Sequence, residues 1–252
     1  SPEELYNANG IPKSRANTMH TAAIIMQELI DKVTPSGFVF SGNGLREGML
    51  FSELKKSVRK RDPLLDACRD MAASEGRFAE HGEEIFDWLK ELVRPADRKS
   101  KRLTLAAATL SDIAWWANSD YRAAQAFRRI FRAPFNGIGH RGRAMVALSV
   151  YARYKGDFSG PAPDDCLRLL SDQEAKNALI IGLALRLSHT ISGGTIGILS
   201  QTRLEISNST ITLKIPTSLS PLVGHHVVNQ MENLAAELDL ESQIEVVTGK
   251  LS

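Results

Sequence analysis

Phe38-Val39-Phe40-Ser41-Gly42-Asn43-Gly44-Leu45-Arg46-Glu47-Gly48 changes character three times in a short space. The first four residues form a buried-strand pattern, Gly42-Asn43-Gly44 breaks it, and Leu45 to Leu54 restarts a helix with Arg46 and Glu47 among its first positions. A turn of this kind exposes backbone N–H groups at a helix N-terminus, where anions can bind. The glycines are spaced GxGxxxG, which is neither a Rossmann nor a Walker loop, so spacing supports no nucleotide site. A tight structural turn, with Arg46 and Glu47 at a domain joint, is the plainer reading. Both remain open from spacing alone.

Working upstream, residues 14–33 carry Met19, Ala22, Ala23, Met26, Leu29, Ile30 and Val33 on one helical face, with Ser14 as the expected cap after Pro12. A helix and one strand cannot make a stable sheet alone. Residues 1–50 therefore read as the tail of a larger α/β unit, and the Ser1-Pro2 start reads as that of a piece of a longer protein. Downstream, helices are predicted at 62–74, 78–93, 98–117, 121–131, 141–154 and 171–190, with breaks at Gly76, Pro95, Asn118-Ser119, 134–139 and 156–163. One stripe runs Ile85, Trp88, Leu89, Leu92 and another Leu105, Ala108, Thr109, Asp112, Trp116, the pattern of a packed bundle. After Gly193-Gly194 the period becomes two: a hairpin at 204–207 and 210–215, then a helix at 219–238 and a strand at 244–247. The expected fold is mainly α: an α/β tail at 1–50, a helical domain at 51–194 and a small α+β subdomain at 195–252.

A chain of 252 residues buries roughly 70 to 75 per cent of its unfolded surface and needs no staples. No apolar run is long enough to span a bilayer and no secretory leader is visible. Cys68 and Cys166 lack any metal or CxxC spacing, which fits reduced thiols in a cytoplasmic protein. The net charge of +2 is unevenly spread. Residues 121–156 hold Arg122, Arg128, Arg129, Arg132, Arg141, Arg143, Arg153 and Lys155 without one Asp or Glu. Such a block is a candidate surface for a polyanion. Two further basic clusters, one with Lys55, Lys56 and Arg59 and one at 98–102, are flanked by acids and read first as solvated faces.

The segment Phe38 to Leu50 resembles the "S-x-x-G-L-R-E-G" strand of the exopolyphosphatase and guanosine pentaphosphate phosphohydrolase family, which closes that family's second actin-like (ribonuclease H-like) domain. Ile11-Pro12-Lys13-Ser14-Arg15-Ala16 and the helix after it are similar to the last helix of that domain. Arg77 to Phe86, Leu110 to Asn118, Gly139-His140-Arg141-Gly142-Arg143 and Ala184 to His189 resemble successive parts of the family's C-terminal, HD-like helical domain. Working HD domains hold metal with a His, a His-Asp pair and a distant Asp. Here His81 matches the first histidine and Asp112 the aspartate, while Ser111 stands where the second histidine would be. A hydroxyl replaces imidazole poorly as a metal ligand, so the resemblance implies a scaffold with a dead metal site and Asp112 as a structural acid, paired with His81. His20, His189 and His225-His226 offer no ligand spacing.

The resemblance implies a parent enzyme that releases terminal phosphate from inorganic polyphosphate with Mg²⁺, its catalytic groups lying in actin-like domains ahead of Ser1. This chain would then need no cofactor, would hold substrate and would form a homodimer. The polyanion contacts implied are Arg46, Lys55, Lys56, Arg59, Arg128, Arg129, His140, Arg141 and Arg143. Alternatives are part of a guanosine pentaphosphate 5′-phosphohydrolase, a nucleic-acid-binding helical module and a live HD hydrolase. No helix-turn-helix signature or aromatic stacking platform accompanies the basic stretch, which counts against the second.

Overall fold

The computed structural model describes residues 13–78, 80–93, 97–160 and 162–249. Pro12 and Pro95, read above as helix breakers, lie outside these, as do Ile11 and Ala79. The chain falls into two compact units, 1–60 and 61–252.

In the first unit, α1 (Lys13–Val33) is followed by α2 (Leu45–Glu53) and the single turn α3 (Lys56–Arg59). Ser14 lies inside α1 and does not cap it. Residues 38–41 form no strand and belong to no sheet among the described residues, contrary to the strand expected there. An extended segment becomes a strand only when a neighbour pairs its N–H and C=O groups, and no described segment does so here. The Gly42-Asn43-Gly44 turn is built locally: Asn43 N–H donates to Ser41 Oγ (3.0 Å), and Gly44 N–H to the Glu47 carboxylate (2.7 Å). Glu47 thus caps α2, and backbone N–H groups, its own first and that of Gly44 next, hold its carboxyl below the usual range.

The second unit is a helical bundle carrying a small sheet: α4 (Pro63–Glu75), α5 (His81–Trp88), α6 (Lys90–Val93), α7 (Arg98–Thr109), α8 (Ser119–Arg132), α9 (His140–Lys155), the short α10 (Asp164–Leu167), α11 (Asp172–Ser192), then β1 (Arg203–Ile206), β2 (Thr210–Pro216), α12 (His225–Glu237) and β3 (Glu241–Val247). Local chemistry sets most ends. Asp62 accepts from the N–H groups of Leu64 and Leu65, with Pro63 at the first position of α4. Ser171 and Glu174 form a capping box on α11, while Gly156 and Gly193 end α9 and α11 in the left-handed region. The helix expected at 219–238 begins only at His225, because Thr217–Leu222 is a 3-10 segment containing Pro221.

Helix α9 is the axis of the bundle: every residue from Ala144 to Ala152 is buried, so no amphipathic stripe marks it. It packs on α8, α7 and α11. Cys68, in α4, is fully enclosed, and burial pushes its thiol up to about 12, which leaves it protonated and inert. In the sheet, β1 pairs antiparallel with β2 and β2 parallel with β3. Ile211, Leu213 and Ile215 alternate inward along β2, and Leu204, Ile211, Leu213, Val227, Met231 and Leu234 join the same core as the helices. The subdomain therefore shares its hydrophobic core with the bundle.

The helix expected over 98–117 stops at Thr109. Residues 110–116 form successive turns, with Ala114 at φ 59°. The polar groups there are drawn elsewhere: Ser111 Oγ lies 2.8 Å from His189 Nε2, Asp112 turns to Arg77, and Tyr154 Oη donates to the Ile113 carbonyl (2.7 Å). Long-range partners override the local period.

Candidate functional site

These turns place Ser111 and Asp112 beside the start of α5, the last turns of α9 and the end of α11. Asp112 is the hub. Its carboxylate accepts from Arg77 three times: from the backbone N–H (3.1 Å), Nε (3.1 Å) and Nη2 (2.8 Å). Arg153 Nη2 stands 3.5 Å from the same Oδ1. Bidentate guanidinium–carboxylate bonds are among the stronger protein hydrogen bonds, and Asp112 raises the Arg77 guanidinium above its ordinary value. The Arg77 guanidinium also lies over the rings of Phe78 (5.0 Å) and Trp115 (5.2 Å). The partners of Asp112 are thus two arginines.

His81 is 1% exposed, and neither ring nitrogen has a hydrogen-bond partner. Glu84 Oε2 is 3.5 Å from Nε2, too far for a hydrogen bond, and the Glu84 carboxylate already accepts from the N–H groups of Gly197 and Ser200. The His81 ring meets that of His189 edge to face at 5.6 Å. His189, which offered no ligand spacing in the sequence, has Nε2 2.8 Å from Ser111 Oγ. The only proton of the Ser111 hydroxyl goes to Ala108, so Oγ accepts from Nε2–H and fixes the neutral tautomer of His189. Both histidines titrate below the ordinary range. Burial is the main cause for each; Arg153, His81 and Arg77 add to it for His189, while Glu84 and Asp112 oppose it for His81.

A divalent cation does not fit this donor set. The Asp112 carboxylate is bound to Arg77, the Ser111 hydroxyl is committed on both sides, and the guanidinium groups of Arg77 and Arg153 occupy the surroundings of the acid. Among the described residues no group of three or more His, Cys, Asp or Glu could hold a metal.

The basic block of 121–156 is largely engaged with acids from other segments and with backbone carbonyls. Arg129 makes a forked pair with Glu75, and Arg141 Nη2 lies 2.5 Å from Glu174. Arg143 donates to the carbonyls of Phe131, Ala133 and Phe135 at the end of α8. Arg122 donates to the Ala117 carbonyl. Arg128, Arg132 and Lys155 are exposed, and His140 is exposed at the start of α9. Arg102, from the basic cluster at 98–102, forks onto Asp62 and reaches the Gly137 carbonyl (2.9 Å). Arg46, Lys55, Lys56 and Arg59 are exposed in the first unit. The sequence-predicted contacts are thus divided between the two units.

A family model described as "Exopolyphosphatase, C-terminal" matches residues 64–242, well over half of the chain. The chain belongs to this family. A search of curated proteins returns no match. The matched region runs from the first helix of the bundle into β3, so the helical core, the Asp112 hub and most of the small sheet together make up the exopolyphosphatase C-terminal domain. No helix among the described residues is long and apolar enough to cross a membrane. Sequence reasoning reached His81, Ser111 and Asp112 through the family likeness, but it paired Asp112 with His81 and missed the roles of Arg77, Arg153, Tyr154 and His189. Only the absence of acids from 121–156 hinted that its arginines would seek partners elsewhere.

Proposed function

We propose that this chain is the substrate-holding and dimerising portion of an exopolyphosphatase, with hydrolysis carried out by actin-like domains that precede it. The observation that carries this reading is the match of residues 64–242 to the exopolyphosphatase C-terminal family. The binding of Asp112 to arginine supports a holding role for the HD-like centre over a hydrolytic one. In this reading residues 1–50 close the second actin-like domain, and Mg²⁺ serves the part of the enzyme that cuts. The exposed cations Arg128, Arg132 and Lys155, with His140, offer contacts to a chain of phosphates. Arg129 and Arg141 can join them only by leaving Glu75 and Glu174. Engagement of most of the basic block with internal partners argues against a general nucleic-acid module.

The test is a titration of the chain with labelled long polyphosphate at two salt concentrations. Phosphate contacts release counterions, so affinity should fall steeply with salt and grow with polymer length. Absence of binding at low salt, or robust polyphosphate hydrolysis by this chain alone, would overturn the division of labour. Sedimentation analysis of the same preparation checks the dimer.

A further inference from the structure

The two edges of the small sheet differ. Helix α6 packs against β1, whereas among the described residues no strand pairs with the outer side of β3. The ladder to β2 begins where Glu241 N–H donates to the Ser209 carbonyl (2.8 Å). Successive residues of a strand direct their backbone groups to opposite sides. The N–H and C=O groups of Ser242, Ile244 and Val246 therefore face away from β2. Such an edge is a template for another strand, and soluble proteins commonly blunt it with Lys, Pro or a bulge. β3 carries no Lys or Pro, and its seven residues match β2 one for one, without a bulge. Val246 is 51% exposed although its place in the ladder is beside the buried Ile215.

The order of residues along β3 selects its partner. Glu241 and Glu245 are its only charges. Laid antiparallel on a second copy about Ile244, the strand sets Gln243 against the partner's Glu245 and Glu241 against the partner's Val247. Every residue of β3 is then paired and no two carboxylates are opposite. The free backbone groups of Ser242, Ile244 and Val246 meet those of the partner's Val246, Ile244 and Ser242. Moving the centre to Gln243 sets Glu241 against the partner's Glu245, and moving it to Glu245 sets that carboxylate against its own copy. Like charges directly opposite destabilise a sheet, so charge favours the register centred on Ile244.

We propose that β3 is a homodimer interface, in which two copies pair antiparallel about Ile244 and join their sheets into one. A twofold pairing of this kind uses the same edge on both copies, so assembly closes at two. The proposal rests on the dimerising reading above and adds the surface that carries it.

The experiment is sedimentation velocity of the full chain over a range of concentrations, for the wild type, Gln243→Lys, Gln243→Glu and Val246→Pro. Gln243 is exposed, so its substitution leaves the core untouched. Gln243→Lys sets an ammonium against the partner's Glu245 and should tighten the dimer, while Gln243→Glu should loosen it. Each pair occurs twice, so the dissociation constant should move on the order of tenfold in each direction, and less in high salt. Val246→Pro removes a donor from the free edge, leaves the ladder to β2 intact and should be monomeric. Melting curves establish that each variant folds, and the Gln243 pair keeps the test available if Val246→Pro does not. A dimer indifferent to the charge at position 243, or one that survives in folded Val246→Pro, overturns the proposal and leaves the dimerising reading to another surface. A wild type that stays monomeric at every concentration overturns both.

Discussion

His81 and His189 sit edge to face in a pocket whose nearest formal charges include two arginines, and that setting decides how the domain answers to acid. Both are lowered from the ordinary histidine value, so the folded state binds fewer protons than the unfolded chain. An unfolded histidine takes its proton near pH ~6.5. The stability linked to this pair is therefore fully present above about pH 6.5 and is lost as pH falls from there toward the folded values. Carboxylates held low, such as Asp62 and Asp157, remain ionised in both states over this window and do not mask the effect. Urea unfolding midpoints at about pH 7.5 and 5.5 check the sign: the midpoint should be lower at the acidic pH. A midpoint that stays level or rises on acidification would contradict a neutral histidine pair. At this scale the sequence revealed residue types and not pairings. Asp112 was legible as a structural acid, but its main partner lies 35 residues away in sequence, and the Ser111–His189 bond spans 78. No local period encodes such distances.

Among the elements, α9 and α11 are pressed together with no room for a side chain at their crossing. A methyl group at Gly182 would lie 2.4 Å from Ala152 Cβ and 2.6 Å from the Ser149 carbonyl oxygen. Gly182→Ala must push the helices apart or unwind one of them. The expected cost is about 1–3 kcal/mol, the usual range for overpacking a tight core, and calorimetry would read it as a lower melting temperature. Glycine in a helix interior otherwise lowers helix propensity relative to alanine, so an unchanged or raised melting temperature would mean that the contact is slack. Element boundaries were legible wherever the chain carries its own punctuation. Asp62-Pro63, Asn118, Ser171 with Glu174, Gly156 and Gly193 each act within a few residues, and the helices between them lie close to where the pattern put them. Residues 110–117 were misread because Leu105, Ala108, Thr109 and Asp112 keep a helical period. What ends α7 is tertiary: Arg77 draws the Asp112 carboxylate away, and Tyr154 takes the Ile113 carbonyl that a continued helix would use. Phe38 to Ser41 was misread for the reverse reason, since its strand-like composition meets no described pairing partner.

Across the described residues, apolar burial is confined to the second unit. No residue of 13–60 whose exposure is described is buried, whereas the core of 61–249 runs from Leu64 to Ala235. Cooperative melting should therefore belong to the second unit. A chain beginning at Arg61 is expected to unfold within a few degrees of the full chain, because melting temperature follows the free energy of the part that holds the core. A loss of cooperativity in the shortened protein would show that 1–60 contributes packing essential to that core. The overall class, a helical bundle with a small sheet, was legible because the change from helical to alternating period after Gly194 needs no long-range information.

The first unit leaves Ile24, Ile25, Leu29, Val33, Val39, Phe40, Leu45, Met49 and Leu50 open to water, Val39 at 92%. In a test tube this becomes a colloidal property. Exposed apolar side chains in such number favour self-association and capture environment-sensitive dyes. Turbidity should then rise with protein concentration and with salting-out ions such as sulfate, long before the bundle itself begins to melt.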